Sequence, residues 1–383
     1  MSFEPRKEIQ MTKESLGFLD FFSNIPDHRI ARKRLYSVEE IMLVTFCGVI
    51  AGCEGWDDIE LFGETKLDFL RKFYPFKAGV PSDDTLRRFF RILDPGKFEA
   101  CFIEWVKSFQ IDLESKVVAI DGKTLRRSFD GDSKPLHLLN AFVSEIGVVL
   151  GQLKVADKSN EITAIPCLLE ILDLKNAIVT IDAMGCQTDI AEKIITKEAD
   201  YILALKGNQG QLHKDVKLAF EQRIPGIDYI DYQDIDKGHG RIETRRCVVT
   251  DNIDWLRKEH PKWTNLNCII EIESIRNINA KETREKRYYI SSLKNDPKII
   301  LQAIRNHWGI ENKLHWVLDV SFGEDQSRIR KGNAPQNISL IKKTALNLLQ
   351  IIKETMPRIS LKRMKKLAGW DNEFLLTVLS AQF

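Results

Sequence analysis

VVAID, at residues 117–121, is the first of five short β-branched runs that decide the fold of this 383-residue chain. HLLNAFVSEIG (137–147) and GVVLGQLKVA (147–156) follow it, and AIVTID (177–182) and YILAL (201–205) complete the series. Such runs are typical of β-strands, and stretches with helical spacing separate the later ones. Three antiparallel strands therefore lead into a β-α-β-α-β order, which predicts a mixed α/β sheet of the RNase H-like kind.

The segments on either side of this region have different patterns. Before it, SVEEIMLVTFCGVIAG begins with a capping box of Ser37 and Glu40, and PSDDTLRRFFRIL begins with an N-cap at Ser82 or Asp83. After it, strand and loop patterns alternate as far as a long helix that begins at Asp296 and Pro297. We expect an all-α N-terminal domain at 1–115, an α/β domain at 116–350 with a β-rich insertion at about 207–296, and a basic helical tail at 351–383.

The composition excludes several classes of protein. The net charge is only +2, because 57 Lys and Arg nearly balance 55 Asp and Glu. The seven cysteines form no CxxC or Cys/His cluster, which indicates thiols of a reducing compartment rather than a zinc site. The longest apolar stretch is too short for a membrane span, and MSFEPRKEIQ lacks a signal-peptide core. We expect a cytoplasmic, nucleoid-associated protein that does not bind membranes.

Two of the apolar runs end in an aspartate, Asp121 and Asp182. If the two strands are parallel neighbours, both carboxylates lie at the same edge of the sheet. At about 4 Å they repel by about 4 kcal/mol at an effective dielectric constant near 20, so a proton or a cation must lie between them. Each residue also has a simpler interpretation, because Asp121 with Gly122 is a common hairpin signal and Asp182 could cap the end of a strand.

The long helix offers a third acid, Glu311. At 100° per residue, Glu311 lies within about 20° of Ile300 and Ile304, in the middle of the apolar stripe, so we expect it to point inward. A carboxylate on a core-facing stripe needs a partner or a metal ion. The alternative third acids are Asp319, Glu324 and Asp325, which fit a solvated turn better.

Three carboxylates in this arrangement suit two-metal phosphoryl transfer. Ligands that are all oxygen favour Mg²⁺ or Mn²⁺ over Zn²⁺, and we expect two ions. The sequence contains no Walker loop, HExxH or GxSxG that would indicate another chemistry.

Several motifs together resemble one family, the insertion-sequence transposases with a DDE triad, and among them the H-repeat-associated branch. The motifs are IPDHRIARKRLYSVEEIML, VVAIDGKTLRRSFD, IVTIDAMGCQTDIAEKI, YILALKGNQ, GHGRIETR, YYISSL and RNHWGIENKLHWVLDVSFGEDQSRIR. The resemblance covers nearly the whole chain. It implies that Asp121, Asp182 and Glu311 are the metal-binding triad, on a core interrupted by a β-rich insertion.

The chain departs from many related transposases around the glutamate. Those carry Tyr, Arg and Lys at positions occupied here by Ile304, His307 and Leu318. His307 shares a helical face with Glu311 and is a candidate phosphate contact.

Basic residues that could contact DNA are clustered despite the small net charge. Arg126 and Arg127 follow Asp121 closely and could hold the scissile strand. The other candidates are Arg87, Arg88 and Arg91 at helical spacing, Arg241 and Arg245 on one side of a probable strand, and basic runs at 28–34, 328–343 and 353–366. Each could instead be a solvated face, and the helix with Arg87 could be an ordinary core helix.

These features predict a transposase that cleaves phosphodiester bonds at the ends of an element and joins the 3′-OH to target DNA. Its partner is double-stranded DNA, on which we expect a homodimer. The alternatives are a catalytically inactive, element-derived DNA-binding protein and an RNase H-like nuclease without strand transfer.

Overall fold

The computed structural model describes residues 17–23, 25–131, 134–156, 160–238, 241–278 and 281–382. The segment MSFEPRKEIQ, with its expected lack of a signal peptide, lies outside these residues. The helices are α1 Gly17–Ser23, α2 Val38–Ala51, α3 Trp56–Thr65, α4 Leu67–Leu70, α5 Asp83–Ile92, α6 Pro95–Lys107, α7 Glu161–Ile171, α8 Thr188–Thr196, α9 Gly210–Gln222, α10 Asp254–Glu259, α11 Pro297–His307, α12 Trp316–Ser321, α13 Ala334–Thr355, α14 Leu361–Trp370 and α15 Asn372–Leu379. The strands are β1 Val117–Thr124, β2 His137–Val143, β3 Val148–Lys154, β4 Ile178–Ile181, β5 Asp200–Leu205, β6 Ile230–Gly238, β7 Arg241–Thr250, β8 Cys268–Ile278 and β9 Lys281–Ser291.

The chain forms two compact units. A helical unit contains the segments up to Gln110, from Leu125 to Leu136, and from Val317 onward. A sheet unit contains Ile111–Thr124 and His137–Trp316. Between residues 17 and 110, the described elements are all helical. No helix in the described part of the chain is long and apolar enough to span a membrane.

The helical unit is built around α2, which is buried on almost every side. The expected capping box is present at its start, because Ser37 Oγ accepts from Glu40 N (3.1 Å) and Glu40 Oε2 accepts from Ser37 N (2.9 Å). Helices α13 and α14 both pack on α2. Residues from the two ends of the chain therefore share one core.

The sheet unit contains a single nine-stranded sheet in the order β3-β2-β1-β4-β5-β9-β8-β7-β6. Strands β1, β4 and β5 are parallel, and the other neighbours are antiparallel. This confirms the predicted mixed α/β class and its strand order. The β-rich segment extends the same sheet, because β9 returns to pair with β5.

Helix α11 packs on one face of this sheet. Its Ile300 and Ile304 share a core with Val117 on β1, Ile178 on β4 and Ile270 on β8. One core therefore joins the predicted α/β region to the strands that follow it. This packing brings the C-terminal end of α11 to the edge where the parallel strands end.

Candidate active site

Asp121 and Asp182 lie at the ends of adjacent parallel strands. Ile120 is the register partner of Ile181, and the next residues along the chain are Asp121, within β1, and Asp182, just after β4. Neighbouring strands are about 4.8 Å apart, so the carboxylates emerge side by side. The pattern of two apolar runs that each end in an aspartate located this edge correctly.

The simpler interpretations of the two aspartates have different outcomes. Asp121 and Gly122 lie within β1 and pair with β2, so the hairpin-turn interpretation of this dipeptide is wrong. Asp182 does cap a turn, because its Oδ1 accepts from Met184 N (3.0 Å) and Gly185 N (3.4 Å). Both bonds use the same carboxylate oxygen.

Glu311 does not point into the core, so the expected inward orientation is wrong. It lies in a π-helical turn, Ile310–His315, between α11 and α12, and its side chain is exposed. Ile310 is fully buried in its place. The alternative third acids Glu324 and Asp325 belong to the helical unit, where they contact Ser339 and Arg126.

The three acids nevertheless line the same cavity, which has a volume of about 620 Å³. Other parts of its wall come from β4, β5, β9 and the end of α11. Its lining includes Thr180, Lys206, Arg287, His307 and Trp308. An open cavity with acids on one wall and basic groups on another can accept a phosphodiester.

Negative charge is concentrated around Asp121. Burial raises the pKa of Asp121 to about 7, against the effect of the Gly122 backbone amide, and the charges of Glu161, Asp182 and Glu311 raise it further. In the described chain, no Lys or Arg forms an ion pair with Asp121, Asp182 or Glu311, and Asp121 Oδ2 lies 3.6 Å from His315 Nδ1. A divalent cation would relieve this repulsion.

The donor set fits Mg²⁺ or Mn²⁺, because carboxylate oxygens are hard ligands. Among the described residues, no three acidic, histidine or cysteine side chains converge on one common ion. A two-ion site does not need that convergence, because the carboxylates can be distributed around a pair of ions. The residues available to hold ions are Asp121, Asp182 and Glu311.

Two residues beside this site, Glu161 and His137, were not predicted from the sequence. Among the charges acting on Asp121, Glu161 has the largest effect on its pKa. His137 Nε2 lies 2.6 Å from Glu161 Oε1, and its Nδ1 lies 2.9 Å from Thr124 Oγ1. A Cβ at Gly122 would lie only 2.2 Å from Glu161 Oε1, so a larger residue there would have to displace the Glu161 carboxylate. Neither residue stands at the end of an apolar run, so the pattern that located the two aspartates carries no signal for them.

The candidate DNA contacts in the sheet unit are engaged within the protein. Arg245 lies 2.8 Å from the buried Glu243 and Arg241 lies 3.9 Å from it, so both are on one face of β7, as strand alternation predicts. His307 lies in the cavity, where its Nδ1 is 2.9 Å from Thr180 Oγ1. Burial lowers the pKa of His307, which makes it a neutral contact rather than a cationic one.

The candidate arginines of the helical unit are exposed. Arg87 pairs with Asp83 at 2.7 Å and Arg88 with Asp84 at 3.2 Å, each one turn away on α5, while Arg91 is exposed near its end. Leu86, Phe89 and Phe90 anchor the opposite face of α5. Arg126 pairs with Asp325 at 3.2 Å, and the carbonyl of Arg127 accepts from Arg330 Nε.

Part of the expected basic surface is buried. Lys342 and Lys343 are each 1% exposed, and Lys365 is 5% exposed. In the run at 28–34, Arg29 and Arg34 both pair with Asp27. The expectation that these runs contact phosphates is therefore wrong for the three lysines, because α13 and α14 turn them into the unit. For Arg29 and Arg34, which pair with Asp27, it stays a prediction.

Comparison with protein families gives two matches to this chain. Residues 112–348 match the model of the transposase DDE domain, and residues 19–106 match the model of the DDE_Tnp_1-associated domain. The first match contains Asp121, Asp182 and Glu311.

Comparison with individual proteins gives relatives along most of the chain. The "H repeat-associated putative transposase YhhI" of Escherichia coli K12 is 42% identical over 94% of this chain and 97% of its own length. The "Putative transposase YncI" of Escherichia coli O157:H7 is 45% identical over 91% of each chain. A structure of the piggyBac transposase synaptic complex with hairpin DNA matches 95% of this chain and 79% of its own, with 11% identity and a TM-score of 0.46. The sequence matches confirm the resemblance that the motifs indicated.

Proposed function

This chain belongs to the DDE transposase family, and we propose that it cleaves phosphodiester bonds at the ends of a DNA element and joins the freed 3′-OH to target DNA. One observation carries the proposal: two aspartates at adjacent strand ends and Glu311 line one cavity, and in the described chain none of them has a Lys or Arg ion-pair partner. Such a site needs added positive charge, and a phosphodiester with divalent ions supplies a matching substrate.

Each proposed role follows from a feature of this cavity. Asp121, Asp182 and Glu311 hold two Mg²⁺ or Mn²⁺ ions. When bound, these ions activate the attacking oxygen and stabilise the leaving oxygen. Lys206 and Arg287 line the same cavity and contact phosphate oxygens of the strand. His307, held by Thr180, closes the wall beside Asp182 as a neutral group.

Double-stranded DNA is the proposed substrate, with contacts from Arg126, Arg127, Arg241 and Arg245 and from the arginines of α5. We propose that the N-terminal helices bind DNA without taking part in the chemistry, and that two copies act together on the DNA.

The decisive experiment uses the purified chain, DNA that carries the presumed terminal repeats, and Mg²⁺ or Mn²⁺. Joined products support transposition. Cut ends alone indicate a nuclease, and a gel shift without cleavage indicates an inactive DNA-binding protein. Activity should be lost on chelation, return with Mg²⁺ or Mn²⁺, and not return with Ca²⁺; tightly bound zinc in the purified protein contradicts the proposed ion chemistry.

A further inference from the structure

The helix that carries Glu311 changes its geometry at Gly309. Helix α11 ends at His307, and the π turn Ile310–His315 follows, in which Trp316 N donates to Glu311 O across five residues. An additional residue in one turn shifts the helical phase by about 100°. Glu311 is the second residue of this turn, so most of the shift falls on the residues after it. Ile310 is fully buried, and Glu311 lines the cavity.

The turn between β2 and β3 packs against this π segment. Ser144 is fully buried there, and a Cβ added at Gly309 would lie 2.7 Å from Ser144 Oγ and 2.9 Å from Ser144 Cβ. Lys313 Nζ donates to the carbonyl of Ser144 at 2.9 Å. Within the described residues, the buried Ser144 hydroxyl has no hydrogen-bond partner. The contact is therefore set by close packing and by Lys313, not by the hydroxyl.

The next residue of the same turn, Glu145, ties the helix to the strand that carries Asp121. Its Oε1 accepts from Val117 N at the start of β1 (3.0 Å) and from Asn306 Nδ2 at the end of α11 (2.8 Å). The β2–β3 turn thus contacts the helix before the π turn, at Gly309, and at Lys313.

We propose that the β2–β3 turn, at Ser144 and Glu145, positions the side chain of Glu311. It does so by holding the π turn through Gly309 and Lys313. These residues touch neither DNA nor ions and act through Glu311. The inference rests on the proposed function, because it assigns these contacts a role in the same cavity.

The first test is Gly309→Ala. Alanine favours a helix more than glycine does, so a purely local effect would leave the fold at least as stable. The added methyl must instead displace the helix from Ser144. We expect Mn²⁺-dependent cleavage to fall about 100-fold through kcat, since a shift of about 1 Å at a catalytic group has effects of that size. We also expect Mn²⁺ affinity, measured by calorimetry, to fall.

Removal of the Ser144 side chain should reverse the effect of Gly309→Ala. In Gly309→Ala with Ser144→Gly, the new methyl meets no side chain at residue 144, so both cleavage and Mn²⁺ affinity should recover most of the loss. Gly17→Ala is the matched control, because a Cβ at Gly17 meets nothing within 4 Å. It should cleave at the wild-type rate.

A second pair keeps the test decisive if Gly309→Ala fails to fold. Lys313→Met removes the bond to Ser144 and should lower cleavage about tenfold, as expected for the loss of roughly one hydrogen bond. Lys313→Arg keeps a donor and should retain most of the activity. Lys298→Met, an exposed lysine on α11, is the control and should behave as wild type.

The outcomes separate the two proposals. If Glu311→Gln is inactive but Gly309→Ala and Lys313→Met both match wild type in cleavage and Mn²⁺ affinity, the positioning role is overturned and the proposed function stands. If the wild-type chain cleaves no DNA and binds Mn²⁺ no better than Glu311→Gln, the proposed function itself fails.

Discussion

In the described chain, the three acids at the edge of the sheet lack ion-pair partners of the Lys or Arg type, whereas two arginines on the surface of the helical unit are paired. At the sheet edge, Asp121, Asp182 and Glu311 face one cavity, and in the described chain none has a Lys or Arg ion-pair partner. In the helical unit, Arg87 and Arg88 each have an acidic partner on their own helix. Unbalanced like charge identifies a place where a partner must come from outside, whereas paired charge can be explained by the fold alone.

The largest effect is expected when each acid at the edge of the sheet is replaced with its amide. Asp121→Asn, Asp182→Asn and Glu311→Gln should each lower metal-dependent cleavage by about 10³-fold or more, because a charge that holds the ions is lost. DNA affinity and the melting temperature should change little, since each substitution removes only a charge that repels the neighbouring acids. Glu192→Gln, an exposed acid on α8, is the control. Wild-type cleavage by all three amide variants means that the crowded acids have no catalytic role.

A buried lysine of the helical unit, Lys365, tests the second region of this comparison. Burial lowers the pKa of Lys365 to about 8, although Lys365 Nζ donates to Ser321 O (2.6 Å) and lies 3.9 Å from the centre of the Phe322 ring. Between pH 8 and about 10.5 the folded chain releases this proton while the unfolded chain keeps it. The free energy of unfolding should therefore rise with pH across this window, by about 3 kcal/mol.

This contribution can be isolated by comparison with a variant. The difference in unfolding free energy between wild type and Lys365→Met, from denaturant titrations at several pH values, should increase from pH 8 to 10.5. The exposed Lys362→Met on the same helix should show no such trend. A flat difference means that Ser321 and Phe322 fully offset the cost of burying the ammonium group.

The smallest expected effect concerns the paired arginines of α5. If they contact phosphates, replacing Arg87, Arg88 and Arg91 with Ala should flatten the slope of log affinity against log salt by up to about 3, or about 0.9 for each contact. Asp83→Asn with Asp84→Asn is the matched opposite change, because it frees Arg87 and Arg88, and it should strengthen binding. Unchanged salt slopes in both folded variants assign DNA binding to other surfaces.

A larger loss on the element's own ends than on random DNA would identify base contacts. Each bidentate contact with a base should contribute about 1 to 3 kcal/mol to this difference. An equal loss on both DNAs means that the arginines of α5 contact phosphates only.

The sequence predicted the strand-end aspartates because their position depends on local patterns alone. An apolar β-branched run gives the strand, its last residue gives the edge, and parallel pairing brings Asp121 and Asp182 together. Their part in catalysis stays a prediction. The residues beside them were not predictable in this way, since Glu161 meets His137 only through the packing of α7 on the sheet.

Other features depend on contacts that periodicity does not encode. The orientation of Glu311 was missed because a constant 100° per residue does not show which side of the helix is covered: Ile310 is buried, and Glu311 lines an open cavity. Lys342 and Lys343 look like a basic surface in the sequence, yet α13 is buried on most sides. The pairing of β9 with β5 joins strands that are about 80 residues apart, so local patterns predicted only a β-rich insertion and not its place in the sheet.

The sharing of one core by both ends of the chain has a consequence for synthesis. Helix α2 is made 283 residues before α13, counted from Ala51 to Ala334. At about 5 to 20 residues per second, the ribosome needs about 15 to 60 s to supply the helix that covers it. During that time the apolar sides of α2 have no α13 or α14 to pack against, so the nascent chain is expected to need a chaperone.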